Sequence, residues 1–142
     1  MKTFIVLTVS IVWMSILFCP MVIAAPPMPN DVQIVQPDPS LPKELAAFWG
    51  KWEGSGFDSG QGRQIQFFLI IEKITEEKAS LYIWHSVHGW SARREAIITK
   101  EGGKYKVWYK GPDGRNEITL KAEELVYDAQ PSWFTINLKR VP

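Results

Sequence analysis

Downstream of residue 48 the chain alternates apolar and polar side chains with a period of two, and short turn-forming groups interrupt the alternation at regular intervals. The interruptions are Ser59-Gly60-Gln61-Gly62, Glu76-Glu77, Val87-His88-Gly89, Glu101-Gly102-Gly103, Gly111-Pro112-Asp113-Gly114, Ala122-Glu123 and Gln130-Pro131. They leave eight extended segments, at about 49–57, 64–75, 78–87, 90–99, 104–110, 116–121, 124–129 and 132–140. No connection is long enough for a crossover helix, so neighbouring segments must pair antiparallel, as a meander. Eight strands are about the number that closes on itself with room for side chains or one small ligand. The pattern therefore predicts an all-β fold, an eight-stranded antiparallel up-and-down β-barrel.

Phase assigns the inner face. Ile65, Phe67, Leu69 and Ile71 share one side of the second segment, and Trp90, Ala92, Arg94, Ala96 and Ile98 share one side of the fourth. Tyr105, Val107 and Tyr109 continue the inner wall, followed by Ile118 with Leu120, Leu125 with Tyr127, and Phe134, Ile136 and Leu138. The third segment breaks the rule, because Leu81 and Ile83 oppose Tyr82 and Trp84, which predicts a strand covered on both faces. The first segment joins Trp49 and Trp52 to Gly50, Gly54 and Gly56, a mixture suited to one buried ring with close backbone approach beside it. Connections in a meander alternate between two ends. The longer ones, 58–63, 87–89, 111–115 and 130–131, fall together and mark the mouth.

Ahead of the barrel, Pro42-Lys43-Glu44-Leu45-Ala46-Ala47-Phe48 predicts one or two turns of helix entering at the floor. Residues 25–41, with Pro26, Pro27, Pro29, Pro37 and Pro39, predict an extended leader, so the barrel domain takes residues 42–142. Residues 1–24 join Lys2 to an apolar run from Phe4 to Phe18 and end on Val22-Ile23-Ala24, the pattern of a secretory signal peptide cut after Ala24. The run is short for a bilayer span, and Phe18 stands where lipid attachment at Cys19 would require a small residue. The expected location is the periplasm or the exterior. Cleavage removes the only cysteine, so the mature chain has no disulfide and depends on its core. It also removes Lys2, which brings the 16 Lys and Arg level with the 15 Asp and Glu. A neutral chain with no basic block argues against nucleic acid or an anionic membrane surface as partner.

The third segment runs toward the mouth and the fourth away from it, which brings His85, Trp90 and Arg94 into the upper half, faced by Tyr109 and Tyr127 from the other wall. An inward arginine costs free energy unless it is paired. A ligand carboxylate or phosphate supplies such a partner, with tyrosine hydroxyls completing the hydrogen bonds. A one-residue bulge that turns Arg94 out beside Arg93, or an internal acid, would satisfy it without a ligand. These five residues form the expected binding set for a small, mainly apolar, anionic molecule. His85 and His88 have H-x-x-H spacing, but a strand and a turn need not make them converge and no cysteine or carboxylate cluster completes a shell, so no metal is expected. No nucleophile and base stand at a recognisable spacing, so no catalytic residue is assigned. Trp108 and Trp133 lie on the outer phase, where either a protein contact or the leader would cover them. The alternative function follows from them: a barrel filled solid by Phe67, Tyr105, Tyr109, Tyr127 and Phe134 that binds an envelope protein through its outer tryptophans.

Gly50-Lys51-Trp52, the short helix before it and Arg140 near the end of the last segment resemble the calycin superfamily, whose members include lipocalins, fatty-acid-binding proteins and nitrobindins. The resemblance implies a lipocalin-like ligand-binding barrel whose floor is closed by Gly50, Trp52 and Arg140, the guanidinium lying on the indole once the last strand pairs with the first. Glu53-Gly54-Ser55-Gly56 is also similar to the nitrobindin form, Gly-x-Trp-x-Gly-x-Gly, which implies haem held by a late histidine. No histidine follows His88, and no cofactor is expected.

Overall fold

The computed structural model describes residues 26–112, 114–130 and 134–142. One helical turn, α1 (Lys43–Ala46), leads into nine strands: β1 (Gly50–Asp58), β2 (Arg63–Ile74), β3 (Lys78–His85), β4 (Gly89–Trp90), β5 (Arg94–Glu101), β6 (Lys104–Lys110), β7 (Arg115–Lys121), β8 (Glu124–Ala129) and β9 (Phe134–Val141). Eight of them close into an antiparallel barrel in the order β2-β1-β9-β8-β7-β6-β5-β3, and the β2–β3 pairing completes the ring. β4 is a two-residue spur on the upper end of β3. The fold is the expected eight-stranded up-and-down barrel with a short helix at its base.

Period-two patterning works here because only one face of each strand is dry. Leu69, Ile71, Leu81, Ala96, Val107, Ile118, Leu125 and Leu138 are wholly buried and fill the lower barrel. Each of the Leu, Ile and Val side chains among them contributes roughly 1.5–3 kcal/mol by leaving water. At Gly54 the inner face is left empty so that β9 can approach: an added Cβ would stand 2.4 Å from the Asn137 carbonyl oxygen and 2.9 Å from the Leu138 side chain.

The floor is built from the ends of the barrel. Trp52 Nε1 donates to the Phe48 carbonyl at 2.9 Å, and β1 pairs Trp52 with Arg140 of β9. The Arg140 guanidinium lies 4.3 Å from the Trp52 ring centre and donates to the carbonyls of Ala47, at 2.7 Å, and Trp49. Gly50 adopts φ +111°, and a Cβ there would meet Arg140 Nη1 at 2.7 Å. The glycine is therefore needed both for its backbone and for the room it leaves the guanidinium.

The described part of the leader packs on β2 and β3 and not on Trp108. It runs along the outside of β2 and β3, where Val35 N–H donates to the Glu72 carbonyl at 2.7 Å and the Tyr82 hydroxyl donates to Asp31 Oδ2 at 2.6 Å. Ile70 and Tyr82, cross-strand partners on that outer face, are thereby almost fully buried. This explains why the third segment carries apolar residues on both sides. Trp108 instead lies half-buried under Arg115, whose guanidinium is 4.3 Å from its ring centre. Trp133 and the expected signal segment, 1–24, lie outside the described residues.

The fourth segment is not one strand. Its ladder breaks at Ser91–Arg93, and Ala92, expected inside, is exposed. Ser91 causes the break by bonding sideways to β3: its N–H donates to the Ile83 carbonyl at 2.7 Å, and its Oγ accepts the Ile83 N–H at 3.2 Å. The chain regains phase at Arg94, so Arg94, Ala96 and Ile98 keep the inner face while Ala92 loses it.

Candidate functional site: a cavity in the upper barrel

Between the filled lower barrel and the mouth loops lies a cavity of about 450 Å³. His85, Trp90, Arg94, Tyr109 and Tyr127 all line it, brought there by β3, β4, β5, β6 and β8. Trp90 sits at the rim rather than fully inside: it is half-buried, and its indole N–H points back to the leader, donating to the Pro27 carbonyl at 2.7 Å.

The wall beside Arg94 is incomplete. β3 pairs with β5 only through Lys78–Leu81, and β5 pairs with β6 only from Ile97 onward. Tyr109 and Lys110 of β6 therefore pair with β7 alone, and β4 has a free edge facing them. Among the described residues this leaves a lateral gap in the backbone pairing between β4 and the upper end of β6, with Arg94 at its lower end.

The polar groups of the cavity follow a definite donor direction. Tyr127 donates to Asn116 Oδ1 at 2.8 Å, so its oxygen accepts the proton of Tyr109 across 2.6 Å. Burial, first of all, raises the pKa of both phenols, and Tyr127 is pushed further by its neighbour Tyr109, so both stay neutral. Their protons point into the chain and their oxygens remain acceptors. At His85, Nδ1 accepts the Val87 N–H at 3.2 Å, which leaves the proton of the neutral ring on Nε2. Burial, then the proximity of His88, pushes the His85 pKa down despite an opposing pull from Asp58. Donors left to face the cavity include the Arg94 guanidinium, His85 Nε2–H and the Asn116 amide.

Arg94 is the positive centre of this arrangement. Its guanidinium stands 5.4 Å from the Tyr109 ring centre, and among the described residues no carboxylate lies within ion-pairing distance of it. Asp58, almost fully buried on the same lining, is engaged elsewhere, accepting the Gln61 N–H at 3.1 Å. On the β2, β8 and β9 side the cavity meets ring faces: Phe67 lies 4.5 Å from Tyr127, and Phe134 stacks on Tyr127 at 5.9 Å. His85 and His88 stack with centroids 5.1 Å apart, and among the described residues no group of three or more His, Cys, Asp or Glu could hold a metal.

Two lining residues escaped the sequence reading although their phase announces them. Asn116 precedes Ile118 and Leu120 on the inner side of β7, and Asp58 follows Trp52, Gly54 and Gly56 on the inner side of β1. A polar residue in an apolar phase was the available signal. No protein-family model, no curated protein and no solved structure matches this chain.

Proposed function

We propose that the protein is an exported lipocalin-like carrier that holds a small, mainly apolar anion in the upper barrel, its charge on Arg94 and its body against the rings of Phe67, Tyr127 and Phe134. The observation that carries this reading is an arginine facing a cavity in which, among the described residues, no carboxylate lies within ion-pairing distance of it. Such a group is left for a partner from solution. The volume, about 450 Å³, has room for roughly fifteen water-sized groups at about 30 Å³ each. It lies toward the small end of ligand sites. The calycin resemblance and the signal-peptide pattern support the same role and an extracytoplasmic location. No catalytic role is assigned to any lining residue.

The test is titration of the purified protein with hydrophobic carboxylates and their methyl esters. Wild type should prefer the acid, and Arg94→Met should weaken the acid about tenfold or more while leaving the ester unchanged, as expected when a charge-assisted hydrogen bond is lost. Equal affinities for acid and ester would refute the anion site.

A further inference from the structure

Outside the barrel, Glu72 is a carboxylate buried to 5 % exposure at the point where the β2–β3 register shifts between Ile71 and Lys73. A buried carboxylate must be matched by donors, and Glu72 has them from two separate parts of the chain. Arg93 Nε donates to it at 2.6 Å, and the Gln33 backbone N–H of the leader donates to Oε2 at 3.2 Å. Arg93 is then fixed at its far end, with Nη2 donating to the Asp31 carbonyl at 2.8 Å and its guanidinium 5.4 Å from the Tyr82 ring centre.

Arg93 ends the unpaired stretch Ser91–Arg93, and the next residue is Arg94 at the lower end of the lateral gap. Successive side chains of an extended chain point to opposite faces. Pinning Arg93 to the outside therefore sends Arg94 to the inside. The stretch has little other restraint, because between β4 and β5 it is tied to β3 only through Ser91. Arg94 itself is the end pair of the β3–β5 ladder, opposite Leu81; without the pin on Arg93 this end pair would fray and let Arg94 turn outward while Ala96 and Ile98 stay inside.

We propose that Glu72 is a positioning residue for the cavity: by holding Arg93 and the leader together on the outer surface, it delivers the Arg94 guanidinium to the inside. The consequence for ligands rests on the carrier reading, whereas the latch itself does not.

The experiment compares wild type with Glu72→Gln and Arg93→Met, using 8-anilinonaphthalene-1-sulfonate as an anionic probe and N-phenyl-1-naphthylamine as its neutral counterpart. Both variants should weaken the sulfonate about fivefold to tenfold and leave the neutral probe within about twofold, and neither should weaken it further once Arg94→Met is present. Amide exchange, measured without any probe, should quicken at 89–96 and stay unchanged in β7 and β8. Equal weakening of both probes would show a general structural role and overturn the proposal, as would unchanged exchange at 89–96. Arg93 is half-exposed, so its replacement gives a folded variant should Glu72→Gln fail to fold. If wild type does not prefer the sulfonate, the carrier reading fails, and the exchange measurement alone decides the latch.

Discussion

The hydroxyls of Tyr109 and Tyr127 stand 2.6 Å apart, and because Tyr127 donates onward to Asn116, the proton between them belongs to Tyr109. This direction makes the two phenols unequal. Tyr127→Phe strands both the Tyr109 donor and the Asn116 acceptor and should cost about 1–3 kcal/mol, whereas Tyr109→Phe removes only the first donor and should cost about 1 kcal/mol or less. Urea unfolding of the two variants checks it. The reverse order would contradict the assigned direction.

At the floor, Arg140 should contribute through the Trp52 ring and the carbonyls of Ala47 and Trp49. Because it is exposed at its edge, Arg140→Met should lower stability by only about 1–2 kcal/mol. Gly50→Ala should also destabilise, through its positive φ and the contact with Nη1. The two losses should be less than additive, since removing the guanidinium removes the clash. A double-mutant cycle in thermal unfolding reads the coupling, and strict additivity would contradict it.

His85 makes stability depend on pH. Its folded pKa is pushed below that of the unfolded ring, by burial first and by His88 next. The unfolded chain therefore binds the proton more readily, and the stability associated with neutral His85 is present above about pH 6.5 and is lost as the pH falls from there toward the lower folded value. Unfolding midpoints measured between neutral and mildly acidic pH should fall, and His85→Gln should flatten that fall. An unaltered slope in the variant would contradict it.

Much of this molecule is legible in its sequence, for a simple reason: a barrel with one dry face writes its register in period two. Arg94, Tyr109 and Tyr127 reach the cavity because they keep phase with Ala96, Val107 and Leu125. At the floor, Arg140 keeps phase with Ile136 and Leu138, whereas the role of Gly50 and Trp52 came from the resemblance to the calycins and not from alternation. What the local pattern could not give was the break at Ser91–Arg93, made by the bonds of Ser91 to Ile83 of β3 and followed by Arg93 held on Glu72 and Asp31, far away in the chain. Nor could it show where the leader lies, because the apolar outer face of β3 announces that something covers it without saying what. Ala92 was misplaced by continuing the alternation through residues whose hydrogen bonds run sideways.

The central claim is that the upper barrel holds an anion on Arg94, and native mass spectrometry of the protein isolated from its own compartment tests it most directly. The account predicts a wild-type species carrying one small molecule that leaves on gentle activation, and an Arg94→Met species that carries none. A wild-type barrel that is empty as isolated, and stays empty in an excess of hydrophobic carboxylates, would contradict it.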